Sequence, residues 1–458
     1  MVIRDSFHSA GTPLQGSSHV SSSMNDGGSG GGATGASGNA ALALAPLLRV
    51  FLGTELPVRF EFWDGSGVGP LGGIGTVRVN SVDAVRRMLW APGELGVARA
   101  FVAGDLTLEG DLFAMLRVLH DSAPHDLRKM GLRGLPSIID AARRLGAIGA
   151  PLPAPDEECR PSGRIHSLGR DAKVISHHYD VGNEFYRLFL GLRMTYSCAR
   201  FVGETTSLEE AQDAKHELIC RKLGLDQHPG ARLLDVGCGW GSMAIHAARY
   251  HQANVVGVAL SSEQVEHARE RVQAAGLDDH IEIRLKDYRE LRGERFDAIS
   301  SIGMFEHVGT SAMARYFETL QNLLGPTGRL LNHAISTPGG SELGRRTFIG
   351  RYVFPDGELL DVGEVILAMQ RAGFEVRDVE SLREHYAKTL RAWVANLEVH
   401  WDQAVALVGL HRSNIWRLYM AASANGFDDG GLSVHQVLGV VPGPNGDSGM
   451  PATRAGWS

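Results

Sequence analysis

This chain is poor in the features that mark a membrane-spanning, secreted or nucleic-acid-binding protein. Its 458 residues hold only four cysteines, Cys159, Cys198, Cys220 and Cys238. None stands in a C-x-x-C pair or beside a matching histidine pattern, so neither a zinc site nor a disulfide framework is indicated, and a reducing cytosol is the expected compartment. No apolar run reaches the roughly 20 residues that cross a bilayer. The best, Ala40 to Leu52, contains Pro46 and Arg49, and it lies too far along the chain, without a basic leader, to resemble a signal peptide. Excess basic charge is missing as well: a formal net charge of -7 speaks against nucleic acid as the main partner.

What is present begins with composition. A hydrophobic content of 43% is ordinary for a globular chain with a sizeable core, and the length allows two or three domains. Residues 1–41 are rich in Ser and Gly, as in Gly27-Gly-Ser-Gly-Gly-Gly-Ala33, and are expected to be disordered. Residues 42–125 read as a small α+β module. Val58-Arg-Phe-Glu-Phe-Trp63 and Gly75-Thr-Val-Arg-Val79 alternate as two antiparallel strands around the turn Asp64-Gly-Ser-Gly67, and helical spacing follows at 82–90 and 112–119. Residues 126–175 form a proline-interrupted connector that is basic within an acidic protein, with Arg128, Lys129, Arg133, Arg143, Arg144, Arg160, Arg164, Arg170 and Lys173. Such a segment suits an anionic membrane surface, or else a solvated linker face. The tail 441–458, rich in Gly and Pro, is expected to be disordered.

Between these lies a segment, 176–440, with the alternation of an α/β domain. Strands are expected at 232–236, 254–260, 281–285, 296–301 and 328–332, with helices at 242–250, 262–275 and 311–324. That order predicts a doubly wound, Rossmann-like sheet whose ligand crevice lies outside the carboxyl ends of the strands. Leu233-Leu-Asp-Val-Gly-Cys-Gly-Trp-Gly241 marks its first turn. Gly237, Gly239 and Gly241 follow a G-x-G-x-G spacing that lacks the dinucleotide pattern, and Asp235 ahead of them suits a cationic ligand such as S-adenosylmethionine. Later strand ends bring in Ala259-Leu-Ser-Ser-Glu-Gln264 for ribose, Asp287 and Tyr288 for the base, and Glu306 with His307 near the reacting end.

Five stretches occur in one order: Tyr-Ser-Cys at 196–198, the glycine turn, Phe-Glu-His at 305–307, His-Ala-Ile at 333–335, and His-Tyr-Ala-Lys-Thr-Leu-Arg-Ala-Trp at 385–393. With His177-His-Tyr-Asp180 upstream, this pattern resembles the cyclopropane fatty acid synthase family, S-adenosylmethionine-dependent enzymes that modify unsaturated acyl chains. The front module resembles the N-terminal domain of its longer, phospholipid-acting members. The resemblance implies that Tyr196, Ser197, Gly237, Gly239, Gly241, Leu260, Gln264, Asp287 and Tyr288 surround S-adenosylmethionine. It also implies a bicarbonate held by Cys198, Glu306, His333, Ile335 and Tyr386. The expected reaction is methyl transfer to the double bond of a phospholipid acyl chain, followed by proton loss to give a cyclopropane. Loss of a different proton would give a methylene branch, and a small-molecule N- or O-methyltransferase is the alternative of another class. Aromatic rings of Tyr196, Phe201, Phe305, Tyr352 or Phe354 are candidates to face the intermediate cation. A cytoplasmic enzyme, peripheral on the inner membrane face, is expected; a homodimer is left open.

Overall fold

The computed structural model describes residues 39–122, 135–159, 170, 181–342, 347–355 and 357–457. Six of the nine basic residues of the connector, Arg128, Lys129, Arg133, Arg160, Arg164 and Lys173, lie outside them, as does His177-His-Tyr-Asp180. The described chain falls into two compact units, one made of 39–86 and 105–151, the other of 87–104 and 152–457. Residues 87–104, within the span expected for the front module, thus pack with the larger unit.

In the smaller unit, strands β1 (Arg59–Phe62), β2 (Gly67–Val68), β3 (Gly75–Val79) and β4 (Leu106–Gly110) form a sheet in the order β2-β1-β3-β4. Phe60, Phe62, Val77 and Val79 are buried, while Arg59, Glu61 and Arg78 pair on the other face. The expected antiparallel pair is corrected here: β1 and β3 run parallel, with Phe60 opposite Val77. The turn at Asp64 returns the chain antiparallel as β2 and fills one edge of β1, so β3 must add to the other edge after a crossover. The same turn anchors the helix Asn39–Leu52, because Asp64 and Ser66 accept hydrogen bonds from the N–H groups of Ala40 and Ala41 at 2.9 and 3.0 Å. Residues 39–41 are therefore helical rather than disordered. The helix Leu135–Arg144 occupies part of the expected connector.

The larger unit is a doubly wound α/β fold. Its sheet contains β5 (Arg232–Val236), β6 (Asn254–Ala259), β7 (Ile281–Leu285), β8 (Phe296–Ile302) and β9 (Leu324–Ser336), all parallel. A short ladder of β10 (Ser341–Glu342) and β11 (Glu358–Leu359) follows, then β12 (Glu375–Ser381) and β13 (Ser433–Val440). The sheet order is β12-β13-β9-β8-β5-β6-β7, with β13 antiparallel to both neighbours. Successive residues of β5 serve opposite faces. Leu233 joins the helices Leu208–Leu223, Ser242–His251 and Ser262–Ala274, and Leu234 joins Met313–Leu323 and Val362–Arg371. Strand order reverses at β5 and β8, which opens a crevice beyond their carboxyl ends.

The tail differs from expectation. Trp457 is buried against the Leu233 face, Arg454 pairs with Asp378 at 2.7 Å, and the carbonyl of Gly449 accepts from Arg329 at 2.7 Å. Two buried charged groups at the sheet thus find partners in a segment whose composition reads as disordered. Among the described residues, no helix is long and apolar enough to cross a membrane.

Candidate active site

The glycine turn sits at the switch point. The N–H groups of Gly237 and Cys238 both reach the carbonyl of Val258, at 2.9 and 3.0 Å, which folds the chain sharply over β6. Gly237, Gly239 and Gly241 have φ of +74°, +53° and +78°, and Gly241 caps the helix Ser242–His251. A Cβ added at Gly239 would meet only Gln264 Nε2, at 3.8 Å. Protein packing does not demand glycine there; the left-handed backbone and the adjoining cleft do.

Nine of the ten residues expected around the cofactor line that cleft: Tyr196, Ser197, Asp235, Gly237, Gly239, Leu260, Gln264, Asp287 and Tyr288. Gly241 shapes the turn without lining it. Asp235 is 2% exposed; its Oδ1 accepts from Ser300 Oγ at 2.8 Å, and its Oδ2 has no partner among the described residues. Burial pushes this carboxyl up to about 6, opposed by the Ser300 hydrogen bond and by the charge of Lys215. A buried acceptor without a partner is costly, and a cationic group in the cleft would relieve it. Asp287 is placed differently from a free base-binding acid: its carboxylate accepts from the backbone N–H, Nε and Nη2 of Arg289, at 2.7 to 2.8 Å.

Lys215, which the sequence reading did not single out, lines the cleft 1% exposed and donates to Ser197 Oγ at 3.0 Å. Burial pulls its ammonium down to about 8. The signal was available: Ala211, Lys215, Leu218, Ile219 and Lys222 share one helical face, and both lysines stand where apolar residues belong.

None of the five residues expected to hold an anion lines this cleft. Cys198, His333 and Tyr386 are buried and Glu306 and Ile335 partly so. Glu306, in a 3-10 turn after β8, accepts from the backbone N–H of Ile335 at 2.7 Å through Oε1. Ile335 thus contributes its backbone to Glu306. Burial pushes Glu306 up to about 7 against that hydrogen bond. His333, on β9, is held by burial well below the usual histidine range. Glu306 Oε2 and His333 Nε2 are both buried without a partner among the described residues. Cys198 Sγ donates to the carbonyls of Ala199 and Leu382, and burial pushes its thiol far up, so it stays a thiol. Tyr386 follows Leu382 on the helix Arg383–Val399, its ring 4.6 Å from that of Phe427.

Aromatic rings connect Tyr196 in the cleft to Tyr386. Tyr196 packs 5.3 Å from Trp393, which lies 6.1 Å from Tyr386, and Tyr186 and Trp416 close around it. Tyr419, 5.7 Å from Phe354, is near enough to Glu306 that burial and that carboxylate together push its phenol up to about 12. Phe305 instead packs on Tyr316 and Phe317 in the core, and Tyr352 turns its hydroxyl to Glu158. Away from the site, Cys220, His246 and His251 gather at a helix seam, where Glu217 Oε2 already takes the Nε2 of both histidines, at 3.3 and 2.9 Å.

A sequence model of the family described as mycolic acid cyclopropane synthetase matches residues 166–437, which contain the cleft-lining residues and the five expected to hold an anion. The chain belongs to this family. A probable fatty acid methyltransferase of Mycobacterium tuberculosis is 41% identical, over 91% of this chain and 98% of its own. A tuberculostearic acid methyltransferase of the same organism is 33% identical over 88% and 92%. Cyclopropane-fatty-acyl-phospholipid synthase of Escherichia coli is 36% identical over 60% and 69%. Among solved structures, a mycolic acid cyclopropane synthase complexed with SAH and CTAB is 34% identical with a TM-score of 0.55, covering 59% of this chain and 98% of that one. The family places this fold among S-adenosylmethionine-dependent methyltransferases acting on fatty acids. Its motifs account for the turn, Glu306 and His333, while Lys215 and Arg289 emerge from the geometry alone.

Proposed function

We propose that this enzyme transfers a methyl group from S-adenosylmethionine to the double bond of an unsaturated phospholipid acyl chain, with proton loss closing a cyclopropane ring. The observation that carries the reading is the pair of buried, partnerless atoms, Glu306 Oε2 and His333 Nε2, the first of them in a turn whose neighbours Met304 and His307 line the cofactor cleft. Solvent-free polar atoms are retained where a ligand satisfies them.

Each half of the site has its own task. Asp235 Oδ2 offers a carboxylate to the cationic cofactor, Lys215 fixes Ser197 beside it, and the side-chain-free turn at Gly239 lets the ligand approach the backbone. S-adenosylmethionine supplies the electrophilic methyl, and bicarbonate, the anion that suits Glu306 and His333, supplies a base. Glu306 and His333 would hold that anion, with Tyr386 and Cys198 beside them, while Ile335 keeps the Glu306 carboxylate in place. An alkene is a weak nucleophile, so alignment matters most, and the aromatic wall of Tyr196, Trp393 and Tyr419 excludes the water that would capture a cation.

A second reading has support of its own: the tuberculostearic acid methyltransferase relative matches most of the chain. The same first step followed by loss of a chain proton gives a methylene branch. Expression in a host whose membranes contain oleate, with NMR of the new fatty acid, distinguishes the two isomers. An unmodified acyl pool would overturn both and favour a small-molecule methyltransferase. Peripheral attachment to the inner membrane face completes the proposal. Neutralising Arg128, Lys129, Arg143 and Arg144 should weaken sedimentation with anionic vesicles, by about 1 kcal/mol per surface-apposed residue. Salt-insensitive sedimentation of that variant would place the contact elsewhere.

A further inference from the structure

Behind His333, strand pairing sets up a chain of buried polar groups whose direction is fixed. Gln436 on β13 stands opposite His333 on β9, so both side chains leave the same face of the sheet. Its Nε2 lies 3.3 Å from His333 Nδ1, and its Oε1 lies 3.0 Å from Lys222 Nζ. Lys222 also meets Asp378 at 3.0 Å and Glu380 at 2.5 Å. His333, Gln436, Lys222 and Asp378 are all 4% exposed or less.

The inventory of donors leaves one arrangement. An ammonium between two carboxylates is charged and has only N–H bonds to offer, so it takes the amide oxygen of Gln436. The amide NH2 is thereby turned to His333, where it can only donate. Nδ1 must then present its lone pair, and a neutral imidazole must carry its proton on Nε2. That is the buried nitrogen without a partner. Burial, which favours the neutral ring, agrees with this.

We infer that Lys222 and Gln436 act as a polarity relay that fixes His333 in its Nε2–H form, which makes Gln436 a positioning residue for the reaction. The consequence is a donor at His333 beside an acceptor at Glu306, the complement of an anion that carries one O–H and accepts through its other oxygens. With the opposite tautomer, two acceptors would share the site. The relay's role in the reaction rests on the proposed reading of Glu306 and His333 as the residues that hold the basic anion, but the tautomer itself can be measured without any reaction.

The test uses the full chain labelled with 15N at histidine, with His333→Gln assigning the His333 signals. In the wild type, His333 Nδ1 should show the shift of an unprotonated nitrogen and Nε2 that of an N–H. Gln436→Leu should lose this preference and lower kcat by about 10²-fold, the scale of losing one preorganised donor, with KM for S-adenosylmethionine within about twofold. Gln436→Glu should draw the proton to Nδ1 and fail to restore kcat. A wild-type His333 protonated on Nδ1 would overturn the relay whether or not the variants fold. So would a Gln436→Leu enzyme that keeps Nε2–H and the wild-type kcat. A wild type showing Nε2–H that methylates no acyl chain would leave the relay standing and defeat the reaction reading instead.

Discussion

Asp235 and Glu306 are two buried carboxylates at the ends of neighbouring strands, each with one oxygen hydrogen-bonded and the other without a partner among the described residues. Their surroundings differ in one respect. Asp235 lies within reach of the Lys215 charge, on the wall of an open cleft; Glu306 is pinned by a backbone N–H and shares its surroundings with the phenols of Tyr316 and Tyr419. Burial raises both by similar amounts, Asp235 from 3.8 to about 6 and Glu306 from 4.5 to about 7, so Asp235 ends lower chiefly because an aspartate starts lower. The first is thus kept ionised at neutral pH and suits a permanent cation. The second is balanced between its two states and suits a ligand that carries a proton. The same buried acid therefore serves binding in one half of the site and chemistry in the other.

The largest test of that division is Glu306→Gln. It keeps the shape and the Ile335 hydrogen bond but removes the charge, and kcat should fall by about 10³-fold while the Kd for S-adenosylmethionine stays within about twofold. A parallel loss in Kd would mean that the two halves are not separate. Gly239→Val should do the reverse. A branched side chain at φ +53° is strained and projects into the cleft, so cofactor affinity should drop at least about 100-fold, roughly 3 kcal/mol, by calorimetry. Normal affinity would remove the turn from the binding site.

How far the sequence foretells this division depends on the range of the contacts involved. Strands β5 to β8 are legible because they are apolar or alternating runs that break at glycine or polar residues, and the crevice follows from their order. Asp235 and Glu306 are visible as acids ending apolar strands. Lys222 is not, because its partners Asp378, Glu380 and Gln436 lie more than a hundred residues away and nothing local shows that β12 and β13 close the sheet. The parallel β1–β3 pairing escapes for a related reason: alternation fixes which residues face inward, not which edge a strand joins. Trp457 is hidden by the glycine and proline around it, which describe the local chain and not the core that receives its side chain.

The two acids should also differ in how they load stability with pH. Glu306 has an ordinary value of 4.5 raised to about 7, so its burial cost is absent below pH 4.5 and fully present above pH 7. Wild-type stability should fall through that window. Glu306→Gln should abolish the fall and gain about 2 to 3 kcal/mol at pH 8 with little change at pH 4. For Asp235→Asn the window runs from 3.8 to about 6, so its gain should be complete by pH 7. Denaturant melts across pH 4 to 8 measure both. Wild-type-like profiles in both variants would mean that neither carboxyl is raised by burial.

The smallest effect isolates the hydrogen bond that helps keep Asp235 ionised. Ser300 stands opposite Asp235 in the β5–β8 ladder and donates to Oδ1 at 2.8 Å, the one hydrogen bond that lowers this carboxyl. Ser300→Ala removes the donor and leaves the apolar shape, so the carboxyl should rise further, from about 6 toward neutrality. A cationic ligand needs the ionised form. At pH 8 the group stays ionised and affinity for S-adenosylmethionine should be near wild type; at pH 6 a larger protonated fraction should weaken binding by about 1 kcal/mol, or roughly fivefold. The sign separates this from a packing defect, which would weaken binding equally at both pH values. If the loss were the same at pH 6 and pH 8, the ionised Asp235 would not be what draws the cofactor, and the contrast with Glu306 would reduce to position alone.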